Sequence, residues 1–364
     1  MWHEIETGDS AWDIDTPALL VNLDALERNI EKMANFFSNV SANLRPHIKT
    51  HKTPAIAQKQ IEAGAIGITC AKLGEAEVMA DAGIGPILIA NQIVGAQKIE
   101  RLVELRTRVD VMCGVDDKHN VMELSEAAGS RGITLGVLVE VDVGMGRCGV
   151  QSGEPARNLA RVVVDAPNLE LLGLMGYEGH IVINRDVELR NEEALKSVAQ
   201  LADSKKACED AGIKIGIVSG GGTGTYAFSG SDPTMTEIQA GSYVFMDADY
   251  RHVTPEFENS LTMLSTVVSR SVEGRVIFDS GRKCMTCDHD LPTVLNHPEV
   301  EIASLSEEHA RGMLNGPTDL RPGDKAHIIP DHCCTTVNLH DRLYGVRDEK
   351  VETIWPIQAR GRFD

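Results

Sequence analysis

"RVDVMCGVDDKHNVMELSEAAGSRGITLGVLVEVD", residues 108–142, holds two apolar, β-branched-rich runs separated by a stretch whose Ala, Glu and Lys fall at helical spacing. A strand, an amphipathic helix and a second strand in that order form a right-handed β-α-β unit, which requires a parallel sheet. The same grammar recurs in both directions. LRPHIKT from residue 44, IGITCA from 66, PILIAN from 86, LELLGLMGYEG from 169, KIGIVSGGG from 214 and EIQAGSYVFMD from 237 bring the runs to eight. Eight repeats within about 200 residues match the (β/α)8 TIM-type barrel. An open, doubly wound sheet is the alternative.

The connecting helices look ordinary. Asn22 precedes LDALERNIEKMANFF, where Leu26, Ile30, Met33 and Phe37 share one face, and Thr53 caps a second helix that begins with Pro54. After about residue 255 the helical period disappears. LTMLSTVVSRSVEGRVIFDSG, EVEIASLSEEHARGML, DKAHIIPDH and RLYGVRDEKVETIWPIQARGR are strand-and-turn patterns. The expected organisation is a barrel over 24–254 and a mostly β domain over 255–364. That domain also takes 1–23, because TPALLVNL precedes the first barrel strand and can pair there instead.

The bulk properties exclude several functions. The 364 residues carry 35 Lys plus Arg against 54 Asp plus Glu, a net charge of −19 that repels nucleic acid and anionic membrane surfaces. No run of 18 apolar residues and no signal-type N-terminus occur, so the expected compartment is the cytoplasm. The eight cysteines lack the spacing of a disulfide framework and read as buried thiols; Cys284 and Cys287 form a C-x-x-C with no second pair to complete a zinc site.

In a parallel barrel the chemistry collects where strands end. Lys49, in LRPHIKT, either points into the barrel mouth or is an ordinary solvated lysine. A desolvated amine in such a mouth has a lowered pKa and attacks carbonyl carbon. VSGGGTGTY, residues 218–226, follows the seventh strand, where barrels hold phosphate on exposed backbone N–H groups. It lacks both the lysine of a nucleotide loop and the G-x-G-x-x-G spacing, which leaves a compact monophosphate. Arg147, flanked by glycines after the fifth strand, either aims inward or makes a surface ion pair, and Tyr177 and His180 end the sixth. His332 and Cys334 in IPDHCCTTVNLHD lie two apart and face one side of an extended segment; thiolate with imidazole suits zinc.

Taken together, RPHIKTHK, GRCG, SGGGTGT, GSYVFMDADY and PDHCCTTVNLHD resemble the metal-activated D-threonine aldolase and D-serine dehydratase family, an alanine-racemase-like group of pyridoxal-phosphate enzymes, over nearly the whole chain. The resemblance implies that Lys49 carries pyridoxal 5'-phosphate covalently. Gly221, Gly222, Thr223 and Gly224, with Tyr243, would hold the phosphate, and Arg147 and Tyr177 would flank the pyridine ring. His332 and Cys334 would bind a divalent metal, zinc foremost, with manganese or cobalt as alternatives. His51 and Lys52 would orient substrate, unless they form a solvated loop.

The implied reaction is lysis of a D-β-hydroxy-amino acid. Loss of water to give a 2-oxo acid and ammonia is preferred, on D-serine or D-threo-3-hydroxyaspartate, because cysteine at the second metal position resembles the dehydratases and aspartate the aldolases. Retro-aldol cleavage to glycine and an aldehyde is the alternative, followed by a pyridoxal-phosphate carrier or a racemase. The family also implies a homodimer.

Overall fold

The structure is a computed structural model and describes residues 4–364. Two compact units emerge. One contains Lys32–Lys49, Pro54–Gly241 and Gly361–Asp364; the other contains the chain up to Glu31, Thr50–Thr53 and Ser242–Arg360.

Strand β1 (Ala18–Asn22) belongs to the second unit, and the next eight form the first: β2 (Asn43–Leu44), β3 (Ile68–Cys70), β4 (Ile87–Gln92), β5 (Val111–Val115), β6 (Leu135–Glu140), β7 (Leu169–Gly176), β8 (Ile217–Gly220) and β9 (Glu237–Ile238). All their pairings are parallel, in the order β2-β9-β8-β7-β6-β5-β4-β3. A parallel bridge between His47 and Thr69, and the Thr69 N–H donating to Pro46 O at 2.8 Å, join β2 to β3 and close the ring.

The opening stretch folds as its pattern dictates. β5 and β6 are buried along their whole length, as strands covered on both faces must be. Between them, the helix Lys118–Arg131 starts at Asp117, whose Oδ1 accepts the His119 and Asn120 N–H groups at 2.7 and 3.2 Å. It stops at Gly132, in the left-handed region at φ 65°. Inside the ring, Leu88, Met112, Leu138 and Met175 pack as one cluster against Ala90, Leu172 and Ile217.

Two expected strands are much shorter than their sequences suggest. LRPHIKT contributes only Leu44 to β2, and Ile48–Thr50 is a 3₁₀ turn that includes Lys49. Pro46, with no N–H to donate and a fixed φ, interrupts the strand, while the Arg45 and His47 N–H groups on either side still donate to the Ile238 and Ala240 carbonyls at 2.9 and 3.0 Å. EIQAGSYVFMD likewise pairs only over Glu237–Ile238 before a 3₁₀ turn at Ser242–Val244.

In the second unit, β1 runs antiparallel to β10 (Leu261–Ser269). The strands that follow are β11 (Arg275–Phe278), β12 (Thr293–Val294), β13 (Val300–Leu305), β14 (Ala310–Leu314), β15 (Lys325–Ile329), β16 (Arg342–Arg347) and β17 (Lys350–Pro356). The sheet order is β13-β14-β11-β10-β1-β16-β17, with β15 also on β10 and β12 on β15. TPALLVNL therefore pairs with the β domain, as its position before the barrel strands suggests. Among the described residues no helix is long and apolar enough to cross a membrane.

Candidate active site

The cationic segment around Lys49 is not a solvated patch. Arg45 forms a bidentate pair with Glu237, Nε to Oε1 at 3.0 Å and Nη2 to Oε2 at 2.9 Å, and both side chains are buried. Such a pair fixes geometry in a low-dielectric interior, where either partner alone is costly. The Lys49 N–H lies 3.4 Å from His47 Nδ1, and its half-buried side chain places Nζ 5.4 Å from the centroid of the Tyr177 ring. Arg147 approaches the same ring, with Cζ 5.7 Å from the centroid. Two of the expected site residues, Lys49 and Arg147, thus converge on a third, Tyr177, at the mouth of the barrel.

Behind Arg147 stands Glu140, buried at the end of β6. Its Oε1 is 4.0 Å from Arg147 Nη2, and its Oε2 accepts from Gln92 Nε2 at 2.5 Å. Burial raises the Glu140 carboxyl above its ordinary range, against the opposing pull of Gln92 and Arg147.

The glycine loop after β8 is held from below by a residue outside the expected site. Glu178, only 3% exposed, accepts the Gly221 N–H at 3.2 Å, the Thr225 hydroxyl at 2.7 Å and the Ser229 hydroxyl at 3.0 Å. The Gly222 N–H donates to Thr225 Oγ1 at 3.1 Å, so two of the four loop amides are already engaged, one by Glu178 and one within the loop. Glycine is required twice. Gly221 has φ 73°, and a Cβ on Gly224 would lie 1.7 Å from the Val182 carbonyl oxygen. A Cβ on Gly222 would lie 3.3 Å from Tyr177 Cε2, so the loop runs beside the ring that Lys49 and Arg147 approach. A loop of this kind, beside a lysine and an aromatic face, fits a phosphorylated aromatic aldehyde such as pyridoxal phosphate.

The second unit carries the His/Cys segment. His332 is extended and precedes the short helix Cys333–Val337, and the donor atoms of His332, Cys333 and Cys334 all lie within 4.8 Å of one another. Fully buried Asp247 accepts through Oδ2 from Cys333 N–H at 3.1 Å, pairs with His332 Nδ1 at 3.1 Å, and accepts the Tyr250 N–H through Oδ1 at 2.9 Å. Thr50 Oγ1 and Ser242 Oγ lie 3.3 and 3.9 Å from Cys334 Sγ. Burial works to lower the His332 pKa, but Cys334 and Asp247 raise it, to about 11. Burial, with Cys334 and Asp247 adding to it, pushes the Cys333 thiol well up.

Fully buried Asp331 accepts three consecutive N–H groups, those of Asp288 at 2.6 Å, His289 at 2.9 Å and Asp290 at 2.9 Å. This places the His289 ring edge-on to His332, 5.8 Å between centroids. Imidazole and thiolate donors this close, with a carboxylate behind the histidine, fit zinc or a similar divalent ion.

The remaining expected residues are also in the second unit. His51 is fully buried, its Nδ1 accepting the Thr53 N–H at 3.1 Å and its ring edge-on to Phe245 at 6.4 Å. Lys52 is buried at φ 52°, which replaces the solvated-loop alternative for this pair. Tyr243 is fully buried, its ring 5.8 Å from that of Phe257. Cys284 donates to the Gly281 carbonyl at 3.3 Å, and burial pushes its thiol up to about 11, so it behaves as a buried thiol. Glu178, Glu140, Asp247 and Asp331 escape sequence reasoning, because a buried carboxylate and a solvated one are the same letter. The one available signal is that Glu178 and Asp247 each follow the end of an apolar run.

Comparison with known proteins agrees with both units. The alanine racemase N-terminal domain family matches residues 21–249, and the putative serine dehydratase domain matches residues 260–346. The chain is 38% identical to 3-hydroxy-D-aspartate aldolase of Paracoccus denitrificans, over 96% of this chain and 93% of that one. It superposes on the crystal structure of D-threonine aldolase from Filomicrobium marinum with a TM-score of 0.96 and 39% identity, over 99% and 100% of the two chains. D-threo-3-hydroxyaspartate dehydratase from Delftia sp. HT23 follows at a TM-score of 0.87 and 25% identity, over 96% and 98%. That dehydratase has also been solved as a histidine-to-alanine variant and, two positions further on, as a cysteine-to-alanine variant in a metal-free form. With a matching family across most of the barrel and a relative this similar along nearly its whole length, the chain belongs to the alanine racemase-like family of pyridoxal-phosphate enzymes, in the lyase branch that joins the barrel to a serine dehydratase-type domain.

Proposed function

We propose that the chain is a pyridoxal-phosphate- and divalent-metal-dependent lyase of D-β-hydroxy-amino acids that removes water to give a 2-oxo acid and ammonia. The observation that carries this reading is the His332–Cys334 pair, which has the spacing of the histidine and cysteine replaced in the dehydratase variants. When bound, pyridoxal phosphate supplies an electron sink for the electrons of the Cα–H bond, and the metal supplies Lewis acidity to the departing β-hydroxyl.

The chain's own groups do the rest. Lys49 Nζ would hold the cofactor aldehyde and, once released, take the Cα proton. Tyr177, with Lys49 Nζ and Arg147 Cζ each within 6 Å of its ring, would give the pyridine a flat wall. Thr223 and Gly224 would donate to the phosphate, Gly221 and Gly222 would shape the loop through Glu178 and Thr225, and Tyr243 would add its hydroxyl. His332 and Cys334 would hold zinc, with manganese or cobalt as substitutes, and His51 would orient substrate. A cytoplasmic homodimer completes the reading.

Retro-aldol cleavage is the second reading, favoured by 38–39% identity to two aldolases. Purified protein is first analysed for metal and for the yellow absorbance of lysine-bound cofactor. It is then given D-serine, D-threonine and D-threo-3-hydroxyaspartate with and without chelator. Ammonia that disappears on chelation supports dehydration, and glycine establishes the aldolase instead. Cofactor without either product indicates a carrier, and L-enantiomer indicates a racemase.

A further inference from the structure

Resting on that metal-dependent reading, we infer that Asp247 is the positioning residue of the metal pair: it holds the proton of His332 on Nδ1 and so turns Nε2 toward the ion. Three observations carry the inference. Asp247 is fully buried, yet among the described residues its partners are the His332 imidazole, the Cys333 and Tyr250 backbone amides and the Cys333 thiol, with no Lys or Arg paired to it. Its Oδ2 contacts His332 Nδ1 and the N–H of Cys333 together, both at 3.1 Å, so the carboxylate grips the backbone and the ring of the same two residues. The opposite oxygen, Oδ1, accepts the Tyr250 N–H at 2.9 Å, which fixes the carboxylate plane.

A carboxylate can only accept, so the hydrogen between it and His332 belongs to the ring. When a metal displaces the Nε2 proton, the imidazole presents Nε2 as its lone-pair nitrogen, the tautomer required of a ligand whose other nitrogen is held from behind. Asp247 thereby acts through His332, whose Nδ1 it holds.

The test reads metal binding apart from turnover. The cofactor-loaded protein is stripped of metal and titrated with Zn²⁺ against a chromophoric chelator, and with Co²⁺ while its absorption spectrum is followed. Asp247→Asn, which keeps shape but offers an amide to His332, should weaken Zn²⁺ about 10- to 100-fold and shift the Co²⁺ bands. In a His332→Gln background the same change should cost little more, because its route of action is gone. Unchanged Zn²⁺ affinity and Co²⁺ spectrum in folded Asp247→Asn overturn the inference. If the variant does not fold, ¹⁵N NMR of histidine-labelled, Zn²⁺-loaded wild type decides. A His332 signal with Nδ1 protonated and Nε2 on zinc upholds the assignment, and Nδ1 on zinc refutes it. Wild-type protein that binds no Zn²⁺ at all counts against the metal-dependent reading itself, a separate failure.

Discussion

Replacing Glu178 by glutamine should loosen the glycine loop more than any exposed substitution near it. The buried carboxylate accepts three hydrogen bonds, from Gly221 N–H, Thr225 Oγ1 and Ser229 Oγ. Bonds to a charged acceptor contribute about 1.5–3 kcal/mol each, and leaving a buried donor unmatched costs about 1–3 kcal/mol. Glutamine keeps one acceptor oxygen and turns an NH₂ toward the remaining donors. At least one bond is therefore lost and one donor confronted with another, a net cost of about 2.5–6 kcal/mol. Because the Gly221 amide and the Thr225 hydroxyl set the loop's shape, pyridoxal phosphate affinity should fall by at least tenfold alongside. Urea unfolding of the apoprotein followed by helical circular dichroism measures the first quantity, since the barrel unit holds the long helices. Titration with pyridoxal phosphate, read as absorbance, measures the second. A change below about 0.5 kcal/mol with unaltered cofactor affinity would refute the claim that Glu178 organises the loop.

Other perturbations have equally definite outcomes. Gly224→Ala puts a methyl 1.7 Å from the Val182 carbonyl oxygen, so the loop must move and pyridoxal phosphate titration should show severe loss of binding. Arg45→Met strands Glu237 in the interior and should cost about 3–5 kcal/mol in urea unfolding, most of it recovered by adding Glu237→Leu. His327 and His340 are held below their ordinary 6.5 by burial, so the unfolded chain binds more protons once the pH drops under that value. Their contribution is complete above pH 6.5 and is lost as pH falls through it; His327→Gln should flatten the decline, read as the difference in urea midpoint from wild type between pH 7.5 and 5.5.

The barrel was legible because a parallel strand covered on both faces has to be a continuous apolar run, and β5 and β6 are buried end to end. Length was less legible. In LRPHIKT the apolar and cationic letters alternate as a strand would, but the regular strand stops at Leu44, before Pro46, and Lys49 lies on a 3₁₀ turn. The convergence of Lys49, Arg147 and Tyr177 could be anticipated, since each follows a barrel strand and those ends share one rim. What lies behind them could not. Asp247 and Glu178 act through distances of about 3 Å to groups far away in sequence, and pairings of that kind leave no periodic trace.

The Arg45–Glu237 pair has a consequence for synthesis on the ribosome. Its halves are 192 residues apart and stand at the seam where β2 meets β9, two strands of two residues each. During translation the guanidinium therefore waits, without its carboxylate, until nearly the whole barrel has emerged. Nascent chains arrested before Glu237 should stay protease-sensitive at β2, and chains arrested after it has cleared the exit tunnel should not. The ring is sealed by its last-made strand.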